Sequence, residues 1–142
     1  MNPSMPPPLD ASQREALLAC LLAAFPEAQG VYAFGSRVRG EAGPDSDLDL
    51  AVLMGPRADP LAIWEAAHRL ADVAGCHVDL VDLRAASTVL QFQVVITGER
   101  WLGAGLDIEL FELLVLREKQ ELDAARAAYL ADIRTRGTVY RG

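Results

Sequence analysis

The stretch Val31–Val52, VYAFGSRVRGEAGPDSDLDLAV, decides the fold. Val31 to Phe34 is a short apolar run of β-forming residues, stopped at once by Gly35. From Asp47 to Leu53 the chain alternates. Leu48, Leu50 and Val52 fall on one side, and Asp47, Asp49 and Ala51 on the other. Between the two runs, Gly40, Gly43 and Pro44 break any regular element. The connection is too short for a crossover helix, so the two strands should pair antiparallel.

Working outward, Ser12-Gln13-Arg14-Glu15 reads as a capping box, opening a helix that runs to about Phe25 and stops at Pro26. Leu17, Leu18, Leu21, Leu22 and Phe25 share its apolar face. A second helix is predicted over Leu61–Ala74, burying Leu61, Trp64, Ala67, Leu70 and Ala71 and closed by Gly75. It leads into a third strand, His77–Leu83. Ser87 caps a helix to about Thr97, Glu99–Leu102 makes an edge strand, and one long helix spans about residues 107–136. The expected fold is α+β (mixed α/β), a small mixed β-sheet flanked by helices. Residues 1–10 are Pro-rich and expected to be a flexible N-terminus; residues 11–142 read as one domain.

Bulk composition narrows the function. The chain has 142 residues, 51% hydrophobic and 23% charged, ordinary for a globular domain. Its net charge of -7 argues against direct nucleic-acid binding, which needs a basic footprint to neutralise phosphates. The two cysteines, Cys20 and Cys76, form no Cys-x-x-Cys or Cys/His cluster and read as free thiols. The N-terminus lacks the basic start and apolar core of a secretory signal. No apolar stretch is long enough to span a bilayer. The cytoplasm is the expected compartment, and no membrane association is expected.

The chemistry sits in the carboxylates. Asp47 and Asp49 are two apart in a strand, so both point to one face, roughly 7 Å apart. Two anions there repel by roughly 2 to 3 kcal/mol at an effective dielectric near 20. By itself an Asp-x-Asp pair is a solvated strand face; the Gly35-Ser36 turn one strand earlier changes that reading. Gly35 lets the backbone approach a phosphate, and Ser36, Arg37 and Arg39 follow with hydrogen-bond donors and positive charge. In the third strand, Val78 and Leu80 should face the core, which leaves Asp79 on the opposite face. If that strand lies beside the second, Asp79 converges on Asp47 and Asp49. Asp82 falls on the wrong face, near the strand end, and reads as a cap or a surface residue. His77 borders the site and reads as a plain surface histidine. Three carboxylates fit a two-metal in-line displacement at phosphorus, with Mg²⁺ or Mn²⁺ shared between Asp47, Asp49, Asp79 and a nucleoside triphosphate.

At these residues the chain resembles the polymerase β-like nucleotidyltransferase superfamily. The matching pattern is Gly35-Ser36, ten residues, Asp47-x-Asp49, then Asp79 on a following strand; Arg39-Gly40 and Ser46 also match. It is most similar to the minimal nucleotidyltransferases, the MNT domains, over roughly residues 12–116. The resemblance implies catalytic and metal roles for Asp47, Asp49 and Asp79. It implies nucleotide or phosphate contacts for Gly35, Ser36, Arg37, Arg39 and Ser46. Minimal members lack a second domain to grip an acceptor, and many pair with a HEPN-domain ribonuclease toxin as its antitoxin. The implied activity is transfer of AMP from ATP to a tyrosine of that toxin, in a hetero-oligomer. Two alternatives stay open: an antitoxin that neutralises by binding alone, and a nucleotidyltransferase acting on a small molecule such as an antibiotic. On the long C-terminal helix, Ile108, Phe111, Leu114 and Val115 should dock on the domain. Leu122, Tyr129 and Ile133 are left on one side of the part that follows, which reads equally as a partner-binding face, a self-association element or a solvated amphipathic helix.

Overall fold

The computed structural model describes residues 9–38, 40 and 47–136. The Pro-rich start up to residue 8, Arg39, the Gly43-Pro44 turn, Ser46 and the basic tail after residue 136 lie outside the described residues.

Four strands form one sheet in the order β3-β2-β1-β4. Strand β1 (Gly30–Phe34) pairs antiparallel with β2 (Leu48–Leu53), Phe34 opposite Asp49. Strand β3 (Val78–Asp82) lies parallel to β2, and β4 (Glu99–Leu102) pairs antiparallel with the other edge of β1. The short connection between β1 and β2 forces the antiparallel pairing. The parallel pairing of β3 needs a crossover, which helix α2 (Pro60–Ala74) provides.

Both faces of the sheet are covered. Helix α1 (Ala11–Ala24) and α2 pack on the side of Val31, Ala33, Leu48, Leu50, Val52, Val78 and Leu80. Helix α3 (Thr88–Thr97) and α4 (Leu106–Arg136) cover Tyr32, Phe34, Ala51 and Leu53 on the other. Strand β2 is therefore buried along nearly its whole length, the half-buried exception being Asp49. At the start of β2 and β3 the second face opens: Asp47 and Asp79 are exposed.

Three details differ from the sequence reading. The α1 cap is Asp10, not Ser12: its carboxylate accepts from the Gln13 amide at 2.7 Å, and the Gln13 side chain accepts from the Asp10 amide at 3.3 Å. An aspartate at this position adds a favourable charge at the helix N-terminus. In α2, Leu61 and Trp64 are 59% and 61% exposed, while Ala66 and Leu70 are the buried pair. Trp64 precedes Ala66 by two residues, which turns it about 160° away around the helix. In α4, Ile108, Phe111 and Val115 are buried but Leu114 is exposed. Leu114 lies about 100° from Val115 and falls off the docked stripe.

The caps otherwise follow the sequence. Gly75 closes α2 in the left-handed conformation at φ 71°, and Ser87 caps α3 by accepting from the Leu90 amide. Asp82 accepts from the Ala58 amide at 2.8 Å and from the Arg84 amide at 3.2 Å, which makes it a cap, the first of the two readings its sequence position allowed. Opposite, the buried Tyr32 hydroxyl donates to Glu112 at 3.3 Å, and Arg100 grips Glu112 at 3.0 Å. This cluster fastens α4 to β1 and β4. Burial, with the Glu112 carboxylate beside it, pushes the Tyr32 hydroxyl well above the usual tyrosine range.

Candidate active site

The site grows out of strand register. Asp49 pairs with Asp79 on the neighbouring parallel strand, and Leu48 with Val78. Residues in register on parallel strands point to the same face, about 4.8 Å apart. Asp47 and His77 occupy the preceding step of each strand and share that face by the period of two. The result is a square of side chains, three carboxylates and one imidazole, at the uncovered end of the sheet.

Gly35 completes one side. It follows β1 directly and has φ 83°, a conformation that favours glycine. A Cβ there would overlap the Asp49 carboxylate, lying 3.0 Å from its Cγ. The missing side chain is what gives the Asp49 carboxylate its room above the turn. Ser36, Arg37 and Val38 continue as a turn rather than a strand. The Arg37 guanidinium donates to Cys76 Sγ at 3.2 Å, linking this turn to the segment that enters β3.

Of the residues singled out from the sequence, Asp47, Asp49, Asp79, Gly35, Ser36 and Arg37 thus lie at or beside one end of the β1-β2-β3 unit. Arg39 and Ser46 lie outside the described residues. Among the described residues, no three His, Cys, Asp or Glu side chains are gathered closely enough to hold a metal ion as they stand. Asp47 Oδ2 lies 3.2 Å from His77 Nδ1 at the same corner. The donor set nevertheless suits a hard divalent cation, being carboxylate oxygens beside a backbone turn with room for phosphate. His77 is exposed, as expected of a surface histidine, and borders the site beside Asp47. A groove of about 260 Å³ runs beside this corner, along the free edge of β3 under α2. Ile63, Trp64, His68, His77 and Asp79 line it. Trp64 and His68 meet edge-on there, with ring centroids 4.3 Å apart.

Residues 18–102, which run from within α1 through β4 and include every site residue named above, match the family described as polymerase beta, nucleotidyltransferase. The chain belongs to the polymerase β nucleotidyltransferase family. Within this nucleotidyltransferase family it is similar to the protein adenylyltransferase MntA of Shewanella oneidensis. The two are 42% identical over 120 residues, covering 83% of this chain and 86% of the relative. Among solved structures it resembles a chain from the crystal structure of a toxin–antitoxin pair with AMP-PNP. That match has 40% identity and a TM-score of 0.77, covering 85% of this chain and 98% of the other. A second match is to a complex of a tri-AMPylated Shewanella oneidensis HEPN toxin with its MNT antitoxin. There the identity is 37% and the TM-score 0.72, covering 87% and 97%. Among the described residues, no helix of this nucleotidyltransferase is long and apolar enough to cross a membrane.

Proposed function

We propose that this chain is an adenylyltransferase antitoxin that transfers AMP from ATP to a tyrosine hydroxyl of a HEPN-domain toxin. The observation that carries the reading is the in-register placement of Asp49 and Asp79, with Gly35 ceding its side-chain volume to Asp49. Similarity to a named protein adenylyltransferase, and to a chain solved with an AMPylated HEPN toxin, supports the choice of nucleotide and acceptor.

In the reaction, the tyrosine oxygen forms a bond to the α-phosphorus of ATP. The bond from that phosphorus to the bridging oxygen breaks, and pyrophosphate leaves with the electron pair. The tyrosine proton passes to a base, for which Asp79, exposed and beside the reacting face, is suited. Asp47, Asp49 and Asp79 would hold the divalent ions, Mg²⁺ or Mn²⁺. Those ions, when bound, lower the pKa of the attacking hydroxyl and neutralise charge on the phosphates. The Gly35-Ser36 turn lets backbone amides reach the departing phosphates, with Arg37 adjacent. Arg39 and Ser46 extend the proposed phosphate contacts on the strength of the motif.

The acceptor is brought by the partner. From Asp123 to Arg136 every residue of α4 is exposed, and Tyr129, Leu130 and Ile133 are unburied apolar groups on it. This half of α4 is the proposed contact with the toxin. The test is to mix the purified chain with α-labelled ATP, Mg²⁺ and the HEPN protein of the adjacent reading frame. Label should appear on a tyrosine of that protein, and its ribonuclease activity should fall in step. No label with either Mg²⁺ or Mn²⁺ would sink the reading. Neutralisation that survives Asp47→Ala with Asp49→Ala would point instead to inhibition by contact. Pyrophosphate release with hydroxylated small molecules and no protein acceptor would point to a different substrate class.

A further inference from the structure

We propose that the groove between α2 and the outer edge of β3 receives the acceptor tyrosine, its ring lying against Trp64. The proposal rests on the function given above and names where that reaction takes its second substrate. Its basis is the order of the strands. The Gly35-Ser36 turn follows β1, Asp49 lies on β2, and Asp79 lies on β3 at the edge of the sheet. Transfer at phosphorus runs in line, so the attacking oxygen enters opposite the oxygen that leaves. Pyrophosphate departing toward the turn after β1 therefore requires the tyrosine to enter from the β3 side. The turn and Asp79 are two strand spacings apart, about 10 Å, which leaves room for the reacting phosphorus between them. The groove opens on that side, and Asp79, the proposed base, is one of its lining residues.

The walls fit an aromatic ring. Ile63, Trp64, Ala67 and Ala71 recur at helical spacing along one stripe of α2. Ile63, Ala67 and Ala71 are half-buried against the core and give the groove an apolar lining, while Trp64 stays 61% exposed. The edge-on contact with His68, ring centroids 4.3 Å apart, holds that indole in place. An exposed indole in the same groove as a reacting carboxylate suits a second ring, because offset or edge-on aromatic pairs attract beyond the area they bury. Size separates the acceptor from the nucleotide. The groove, about 260 Å³, falls below the range of about 300 to 1,000 Å³ that encloses a drug-sized ligand. It takes one side chain, not a whole nucleoside.

The test measures initial rates of AMP transfer with the HEPN partner and ATP varied in turn. Trp64→Ala should raise the KM for the partner by about tenfold, the usual order for truncating an aromatic anchor, with kcat and the KM for ATP near wild type. Trp64→Phe should recover most of the loss, since it keeps an aromatic wall. Leu61→Ala removes an exposed apolar side chain of the same helix that does not line the groove, and should change neither KM. Dissociation constants then locate the contact. Trp64→Ala is combined with alanine at the labelled tyrosine of the partner. Groups that touch are coupled, so the pair should weaken binding by less than the product of the two single losses. Losses that multiply, an unchanged KM for the partner, or a rise confined to the KM for ATP would overturn the proposal. If the wild-type chain labels no tyrosine at all, the adenylyltransferase reading itself fails, and that result is seen before any variant is made.

Discussion

Replacing Gly35 with alanine separates two effects of one methyl group. Gly35 has φ 83°, where an L side chain is strained by about 1 to 2 kcal/mol. For a chain of this size, that strain should lower the melting temperature by roughly 3 to 8 °C. The methyl group would also occupy space filled by the Asp49 carboxylate, so Asp49 must rotate or the turn must move. A catalytic group displaced by about 1 Å costs on the order of 100-fold in rate. Gly75→Ala supplies the control. Gly75 has φ 71° and nothing within 4 Å of the added carbon, so an alanine there displaces no carboxylate. It should carry the same backbone strain and lose the same few degrees, and with no carboxylate displaced, transfer should stay intact. Whatever either change does to the unfolded chain is common to both and cancels. The measurements are thermal melts and initial rates of AMP transfer at saturating Mg²⁺ and ATP. Equal rates in the two variants, or a Gly35→Ala protein with lowered melting temperature and full activity, would refute the steric link between the turn and Asp49.

The packing of α2 predicts that Leu70→Ala, in the core, destabilises by about 2 to 5 kcal/mol, while Trp64→Ala stays within about 1 kcal/mol despite the larger side chain; urea titrations compare them. Because the folded Tyr32 hydroxyl ionises well above the ordinary value of 10.0, the folded state keeps its proton where the unfolded state loses it. Stability should therefore be constant with respect to this group below pH 10, and fall above it by up to about 1.4 kcal/mol per pH unit. Tyr32→Phe should flatten that slope in denaturation curves taken from pH 8 to 11. On α4, Tyr129→Glu with Ile133→Glu should leave the melting temperature unchanged and weaken capture of the HEPN partner by at least about tenfold, as expected for loss of two apolar anchors. Unchanged affinity by surface plasmon resonance would remove that half of α4 from the interface.

How much of this was legible beforehand follows from which patterns are local. The β1-turn-β2 unit was readable because period-two alternation and two glycine-bearing stops lie within one continuous stretch. The order of elements and the antiparallel β1-β2 pairing followed from segment lengths alone. What failed was orientation around helices. Leu61 and Trp64 are apolar and follow Pro60, so they looked like the start of a buried face. The face that docks is set instead by contact with α1, where small Ala66 and Leu70 fit. Similarly, Ser12 and Asp10 are both good caps, and only the three-dimensional course of the chain chooses between them.

The site divides along the same line. Asp47 and Asp49 share a face through one strand's own geometry, so sequence is enough to pair them. Bringing Asp79 to them needs β3 beside β2, parallel, in a given register, and none of these is written locally. A shift of one residue would turn Asp79 toward the core and Leu80 toward solvent. Burial of Val78 and Leu80 against α2 forbids that shift, so apolar packing on one face fixes the carboxylates on the other. The same register puts His77 beside Asp47, which explains why a histidine unremarkable in sequence becomes a corner of the site. The geometry of the candidate site is a consequence of core packing one residue away. On the proposed function, a substitution that loosens Val78 or Leu80 should then weaken Mg²⁺ binding even though neither side chain faces the carboxylates.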